Sequence, residues 1–247
     1  MTKNRVCIIT TQRSGSTWLM QSLNKLDFLR CYGEVFLPEH TDTFQGDPRL
    51  RPPMFYGQFC ESRGKARAIG GFLDMLEGSS DKPVIFKIMY DQIRRHPEII
   101  PALIMRRYRI IHLVRRDTVR LLTSRLLART TKVYHSTSEV EQPVLRPEPT
   151  EFRRSLEHID RLTGRADFLL KLLPLRCMTI DYETMASDPD AMMARLGEFV
   201  GIDGFRYVRD TKGWVKTNKR TLSQSYENFA ELRSAVAGTP FESQMVD

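Results

Sequence analysis

The sequence predicts a three-layer α/β/α fold with a central, mainly parallel sheet. Short apolar runs alternate along the chain with longer stretches of helical period, the pattern of strands covered by helices on both faces. The first run passes through a Gly-containing turn directly into a helix. At 247 residues the chain can bury a sizeable core, and one α/β domain over 1–247 is the simplest account.

The apolar run Val6-Cys7-Ile8-Ile9 reads as a buried strand over 5–10. A helix over 16–27 follows, with Leu23 and Leu26 at helical spacing behind Trp18-Leu19-Met20. Phe28 to Val35 holds a short second strand ending in Tyr32-Gly33-Glu34-Val35-Phe36. From Leu37 to about Gln58, Pro38, Pro48, Pro52 and Pro53, with Gly46 and Gly57, punctuate a long irregular segment. A helix over 61–77 is interrupted or bent at Gly70-Gly71.

Pro83 to Ile88 is the next strand, and Pro97 to Arg107 a helix with Pro near its first turn. Arg109 to Val114 is a central strand by its aliphatic run, and Asp117 or Thr118 caps a helix reaching about Arg129. Pro143, Pro147 and Pro149 make the stretch from Thr131 to Pro149 irregular. Residues 150–173 have a helical period, and Arg176 to Ile180 is the last parallel strand. Asp188-Pro189 opens a helix that Gly201 ends. Ligands of such sheets sit outside the carboxyl ends of the strands, which brings Arg13, Glu34, Lys87 and Arg116 near one another.

The net charge of +8, with a pI near 9.5, implies attraction to anions: nucleic acid, an anionic membrane surface or a polyphosphorylated small ligand. The apolar run behind Lys3 and Arg5 is only four residues long, too short for a signal peptide, and no run approaches a membrane span. Cys7, Cys31, Cys60 and Cys177 are scattered without C-x-x-C spacing and read as reduced packing residues. A cytoplasmic location is the expectation.

The stretch from Thr10 to Trp18 is a candidate anion site. The first turn of a helix has N–H groups with no internal partner, and its dipole favours an anion there. Ser14, Ser16 and Thr17 add hydroxyls, Arg13 adds a fixed fork of charge, and Gly15 permits the turn. The loop lacks the second glycine and the lysine of a Walker A motif, which argues against an ordinary metal–nucleotide site. A plain strand–turn–helix with a Ser cap remains the alternative for this stretch.

Eight arginines lie between residues 106 and 129, most of them readable as a solvated face. Arg116 differs because it sits just past the 109–114 strand, where the sheet opens. Ser124 follows eight residues later on the next helix, and the two could reach one ligand; Arg120 is a third donor on that side.

Arg13-Ser14-Gly15-Ser16-Thr17-Trp18 closely resembles the 5′-phosphosulfate loop of the sulfotransferase family. Arg116 followed by Ser124 resembles that family's 3′-phosphate motif. Thr179 to Met185, then Asp188-Pro189, looks like its segment with a Tyr near the adenine. Gly33-Glu34-Val35-Phe36 resembles a segment of bacterial carbohydrate-type members, in which the Glu is the proposed base. The tail, Lys216 to Leu222 with Tyr226-Glu227-Asn228-Phe229, resembles the same group. The matches run in the family's order from residue 5 to about 240. Arg13 stands where a lysine is usual, and no His follows a strand as the cytosolic members' base does.

The resemblance implies a P-loop-like α/β fold and 3′-phosphoadenosine-5′-phosphosulfate (PAPS) as the donor, with no metal. It implies sulfuryl transfer to an acceptor hydroxyl or amine, leaving adenosine 3′,5′-bisphosphate. Arg13 and the loop N–H groups would face the leaving phosphate. Arg116 and Ser124 would clamp the 3′-phosphate, and Trp18 and Tyr182 would offer aromatic surface to adenine. Glu34 is the candidate base, with His40 as its alternate. Lys87 would stabilise sulfuryl oxygens or form a peripheral salt bridge. Lys216, or else Lys219, would contact the donor. His112 lies inside an apolar strand and reads as a packed histidine. The bacterial-type segments favour a sugar, glycolipid or glycosylated natural product as acceptor, in a pocket shaped by the 37–60 and 131–149 loops. A glycolipid acceptor would bring peripheral membrane contact.

A nucleotide kinase of P-loop type is the first alternative and predicts Mg²⁺ dependence and a loop lysine. A basic nucleic-acid-binding protein is the second. It is disfavoured because the Arg-rich helix alternates with Leu121, Leu122, Leu126 and Leu127, which are core-type residues.

Overall fold

The computed structural model describes residues 4–38, 48–63, 68–132, 142–208 and 220–247. They fall in two compact units, Met1–Val114 with Leu169–Arg209, and Arg115–Phe168 with Asp210–Asp247.

The first unit is built on a five-stranded sheet: β1 (Val6–Thr10), β2 (Arg30–Glu34), β3 (Val84–Met89), β4 (Arg109–Val114) and β5 (Arg176–Asp181). Their order is β2-β3-β1-β4-β5, and every pair is parallel. The fold class read from the sequence is the one observed. All five strands stand where the sequence reading put them; β1, β3 and β4 do so on apolar runs, because a parallel strand buried on both faces needs no polar alternation.

Parity along the strands builds two cores. Val6, Ile8, Ile85, Ile111 and Leu113 face α1 (Ser16–Asn24) and α9 (Pro189–Val200), meeting Leu19, Leu23 and Leu196. Cys7, Ile9, Phe86, Ile88 and Ile110 face the other way, onto α3 (Ala68–Gly78) and α5 (Ile99–Met105). The caps of α9 follow the sequence: Asp188 accepts from the Ala191 N–H at 3.0 Å, and Gly201 closes the helix at φ 68°.

Four helices of the first unit depart from the sequence reading. α2 (Tyr56–Arg63) starts inside the stretch read as irregular. Its Tyr56 and Phe59 rings lie 5.3 and 5.6 Å from Phe72 of α3, so aromatic packing overrides the Pro and Gly punctuation around it. α3 continues through Gly70-Gly71 without interruption. A Cβ at Gly71 would stand 3.3 Å from the Phe59 ring, so the glycine answers to helix approach rather than to a bend. α4 (Tyr90–Arg95) follows β3 directly and has too few residues to show a period; Gln92 caps it by accepting the Met89 N–H at 3.0 Å. α8 (Tyr182–Ser187) leaves β5 in the same abrupt way.

The second unit has its own core. α6 (Thr118–Thr131) is capped by Asp117, which accepts from the Arg120 N–H at 2.8 Å. Val119 and Leu122 of α6 pack with Phe152 and Leu156 of α7 (Pro149–Leu172) and with Tyr226, Leu232 and Phe241. α10 (Leu222–Ser225) and α11 (Phe229–Ala235) supply part of that set. The buried Tyr226 hydroxyl donates to Thr123 Oγ1 at 2.7 Å, since Thr123 gives its own proton to the Val119 carbonyl at 2.8 Å.

Candidate active site

The loop after β1 turns through two left-handed residues, Arg13 at φ 66° and Gly15 at φ 87°. A non-glycine residue in that region is uncommon and strained, and such residues gather at functional sites. Gly15 is the N-cap of α1 and offers no side chain to the first-turn N–H groups. A helix start of this kind is chemically suited to an anion. A Cβ on Gly15 would lie 2.3 Å from the Tyr182 ring, so Tyr182 seals the loop from the α8 side.

Beneath the loop, Thr10 Oγ1 donates its one proton to the Leu113 carbonyl at 2.7 Å. The 2.6 Å contact between Thr10 and Ser14 then takes its proton from Ser14. Both side chains are fully buried, and they fasten the loop to the ends of β1 and β4. Ser14 thus faces inward as a strut, with its backbone N–H as the group left for a ligand.

Glu34 stands at the carboxyl end of β2 and Lys87 within β3. Tyr32 pairs with Phe86 and Glu34 with Lys87, so β2 advances two residues where β3 advances one. This bulge re-aims the carboxylate. Tyr32 and Val35, three apart, both reach the α3 side, whereas Glu34 turns with Lys87 to the α1 side. There Lys87 Nζ lies 3.5 Å from Glu34 Oε1 and 3.5 Å from Ser16 Oγ in the first turn of α1. The Lys87 side chain is 8% exposed and that of Glu34 26%. A nearly buried ammonium therefore joins a half-buried carboxylate to the mouth of the anion loop. Gln92 of α4 donates from Nε2 to Glu34 Oε2 at 3.3 Å. Sequence reasoning missed Gln92; its signal was a Gln three residues past a strand end, at a helix start.

His112 is fully buried, and its Nε2 meets the Tyr90 hydroxyl at 2.5 Å, as expected of a packed strand histidine. Trp18 stacks edge-on to Tyr207 at 5.8 Å and borders a small apolar slot with Met185, Met192 and Met193. In the second unit Arg116 Nη1 bonds Asp167 Oδ2 at 2.9 Å, with the arginine half exposed. Ser124 is half-buried on α6, past the Asp117 cap. His40, Lys216 and Lys219 lie outside the described residues, as do parts of both acceptor-loop segments.

Fold and loop together define a parallel α/β domain whose first helix starts, without a side-chain cap, at a left-handed glycine turn. Residues 98–206 match the model of the Sulfotransferase family. The segment contains Arg116, Ser124 and Tyr182 and stops short of the Arg13 loop, Glu34 and Lys87. No curated protein matches. Similar solved structures include the sulfotransferase domain from the Synechococcus PCC 7002 olefin synthase, 16% identical with a TM-score of 0.49, covering 82% of this chain and 75% of that one. The sulfotransferase domain from the curacin biosynthetic pathway is 17% identical with a TM-score of 0.49, covering 81% and 75%. A sulfotransferase from Alicyclobacillus acidocaldarius is 15% identical with a TM-score of 0.48, covering 98% and 95%.

Proposed function

We propose that the protein moves a sulfuryl group from PAPS to a hydroxyl of a carbohydrate, glycolipid or glycosylated natural product. The family supports sulfuryl transfer, and the Glu34–Lys87–Ser16 cluster beside the anion loop is the observation that carries the rest. The donor supplies a sulfur whose bond to the bridging phosphate oxygen breaks as the acceptor oxygen bonds to it, giving a sulfate ester and adenosine 3′,5′-bisphosphate.

Glu34 takes the proton from the acceptor hydroxyl as that oxygen attacks. Lys87, already between Glu34 and the loop, stabilises charge on the sulfuryl oxygens. Arg13 and the first-turn N–H groups of Ser16, Thr17 and Trp18 stabilise the leaving phosphate. The uncapped helix start fits that group, since its donors have no side-chain cap. Arg116 and Ser124 hold the 3′-phosphate, Tyr182 and Trp18 border the adenine, and Lys216 or Lys219 closes on the donor. The 37–60 and 131–149 segments shape the acceptor pocket. The preference for a sugar rests on the likeness of Gly33-Glu34-Val35-Phe36 and of the tail to bacterial carbohydrate-type members. No described helix is long and apolar enough to cross a membrane, so a glycolipid acceptor would be met at the membrane surface. We place the reaction in the cytoplasm.

Calorimetry with adenosine 3′,5′-bisphosphate and turnover with labelled PAPS test this reading. Binding without Mg²⁺ is expected, and Glu34→Gln should bind the bisphosphate normally while losing turnover at least a hundredfold. Failure to bind without Mg²⁺ refutes the donor assignment; wild-type turnover in Glu34→Gln removes the base.

A further inference from the structure

Gln92 does more at this site than cap a short helix. It is 2% exposed, and both ends of its amide are engaged. Oε1 accepts the Met89 N–H at 3.0 Å, and Nε2 donates to Glu34 Oε2 at 3.3 Å. The backbone settles which amide atom faces Glu34. Turning the amide over would set Nε2 against the Met89 N–H, donor to donor, and Oε1 against a carboxylate. Only the observed orientation satisfies both contacts.

Glu34 is thereby gripped from two sides. Among the described residues, the side chains bonded to its carboxylate are Lys87 of β3, on Oε1, and Gln92 of α4, on Oε2. A carboxylate has about four acceptor positions, so lone pairs on both oxygens remain for a substrate proton. A base at a strand end, one quarter exposed, would otherwise sample several rotamers.

We propose that Gln92 is a positioning residue: its amide, locked by the Met89 backbone, holds the Glu34 carboxylate in the one orientation that serves the acceptor. The proposal rests on Glu34 being the base. A neutral donor suits this place because it orients the carboxylate without cancelling its charge, which a second cation beside Lys87 would do.

Gln92→Glu is the informative change. It keeps an oxygen for the Met89 N–H and replaces the donor facing Glu34 by a second carboxylate. Two such groups at this distance share a proton. The acidic limb of kcat/KM for the acceptor should move up by about one pH unit or more, with bisphosphate affinity unchanged. Gln92→Met, which cannot donate, should lower kcat about tenfold or more and move the limb up by less than Gln92→Glu does, since it loses one hydrogen bond to the carboxylate without adding a second carboxylate.

A fold-level readout accompanies the kinetics. The variant's shared proton is bound more tightly when folded than when unfolded, so its Tm should fall relative to the wild type's as pH rises from 4 to 7. The exchange variant E34Q/Q92E restores one amide and one carboxylate and should regain the wild-type Tm profile while staying inactive. This pair of melts also decides the matter if Gln92→Glu does not fold at pH 7. An unmoved limb in Gln92→Glu, or an exchange variant that fails to regain the Tm profile, overturns the proposal. Failure of the base assignment looks different: Glu34→Gln itself then turns over at the wild-type rate.

Discussion

Replacing Gly15 by alanine separates two demands that the loop makes on one residue. At φ 87° an L-residue is strained, costing about 1–2 kcal/mol. The added Cβ would also stand 2.3 Å from Tyr182 Cδ2 and 2.7 Å from Cε2. Carbon contacts are comfortable near 3.5 Å, so the ring must retreat by about 1 Å from a packed position, adding about 1–3 kcal/mol. The expected total is about 2–5 kcal/mol in urea unfolding followed by the fluorescence of Trp18, three residues away. A double-mutant cycle with Tyr182→Ala isolates the steric part. With the ring gone, Gly15→Ala should cost only its backbone strain, a coupling of about 1–3 kcal/mol. Strict additivity would refute the contact, and a neutral Gly15→Ala would refute the left-handed turn as well.

Two further outcomes follow from residues outside the loop. Arg116→Ala should weaken binding of adenosine 3′,5′-bisphosphate about tenfold or more, the scale of one charge-assisted contact, and leave adenosine 5′-phosphosulfate, which lacks a 3′-phosphate, unaffected in the same calorimetry. Equal losses for both ligands would assign Arg116 elsewhere. Burial pushes the Cys31 thiol up to about 12 and raises that of Cys7 further, whereas Cys60 and Cys177 are partly exposed. Thiol titration at pH 8 should therefore find two fast groups in the folded protein and all four in denaturant; fast labelling of Cys7 or Cys31 would contradict the packing of β1 and β2.

The strands were legible because a doubly covered parallel strand leaves a continuous apolar run, as at Val6 to Ile9 and Arg109 to Val114. The anion loop was legible because turn and helix start follow the first run at once. What stayed hidden depends on contacts between segments. α4 is only six residues long, and α2 owes its place to rings on Phe72, which no local pattern encodes. Glu34 and Lys87 could be named from strand ends. Their pairing could not, because alternation alone sends Glu34 to the face of Tyr32. Ser14 read as a ligand hydroxyl, yet its proton is directed inward by Thr10, whose own proton goes to a carbonyl one strand away.

The bulge in β2 ties the direction of one carboxylate to the extra residue that β2 carries against β3. A conservative replacement between Tyr32 and Glu34 leaves the count of residues, and with it the direction of the carboxylate, intact. Losing Gly33 would restore simple alternation and leave the glutamate directly after Tyr32, still opposite Lys87 on the α1 side; flattening the bulge while keeping the residue would turn it to the aromatic layer behind the sheet. Homologues can therefore reach the same direction of the glutamate by two routes, one residue shorter without the bulge or equal in length with it, and an alignment that places no gap at Gly33 would conceal the equivalence.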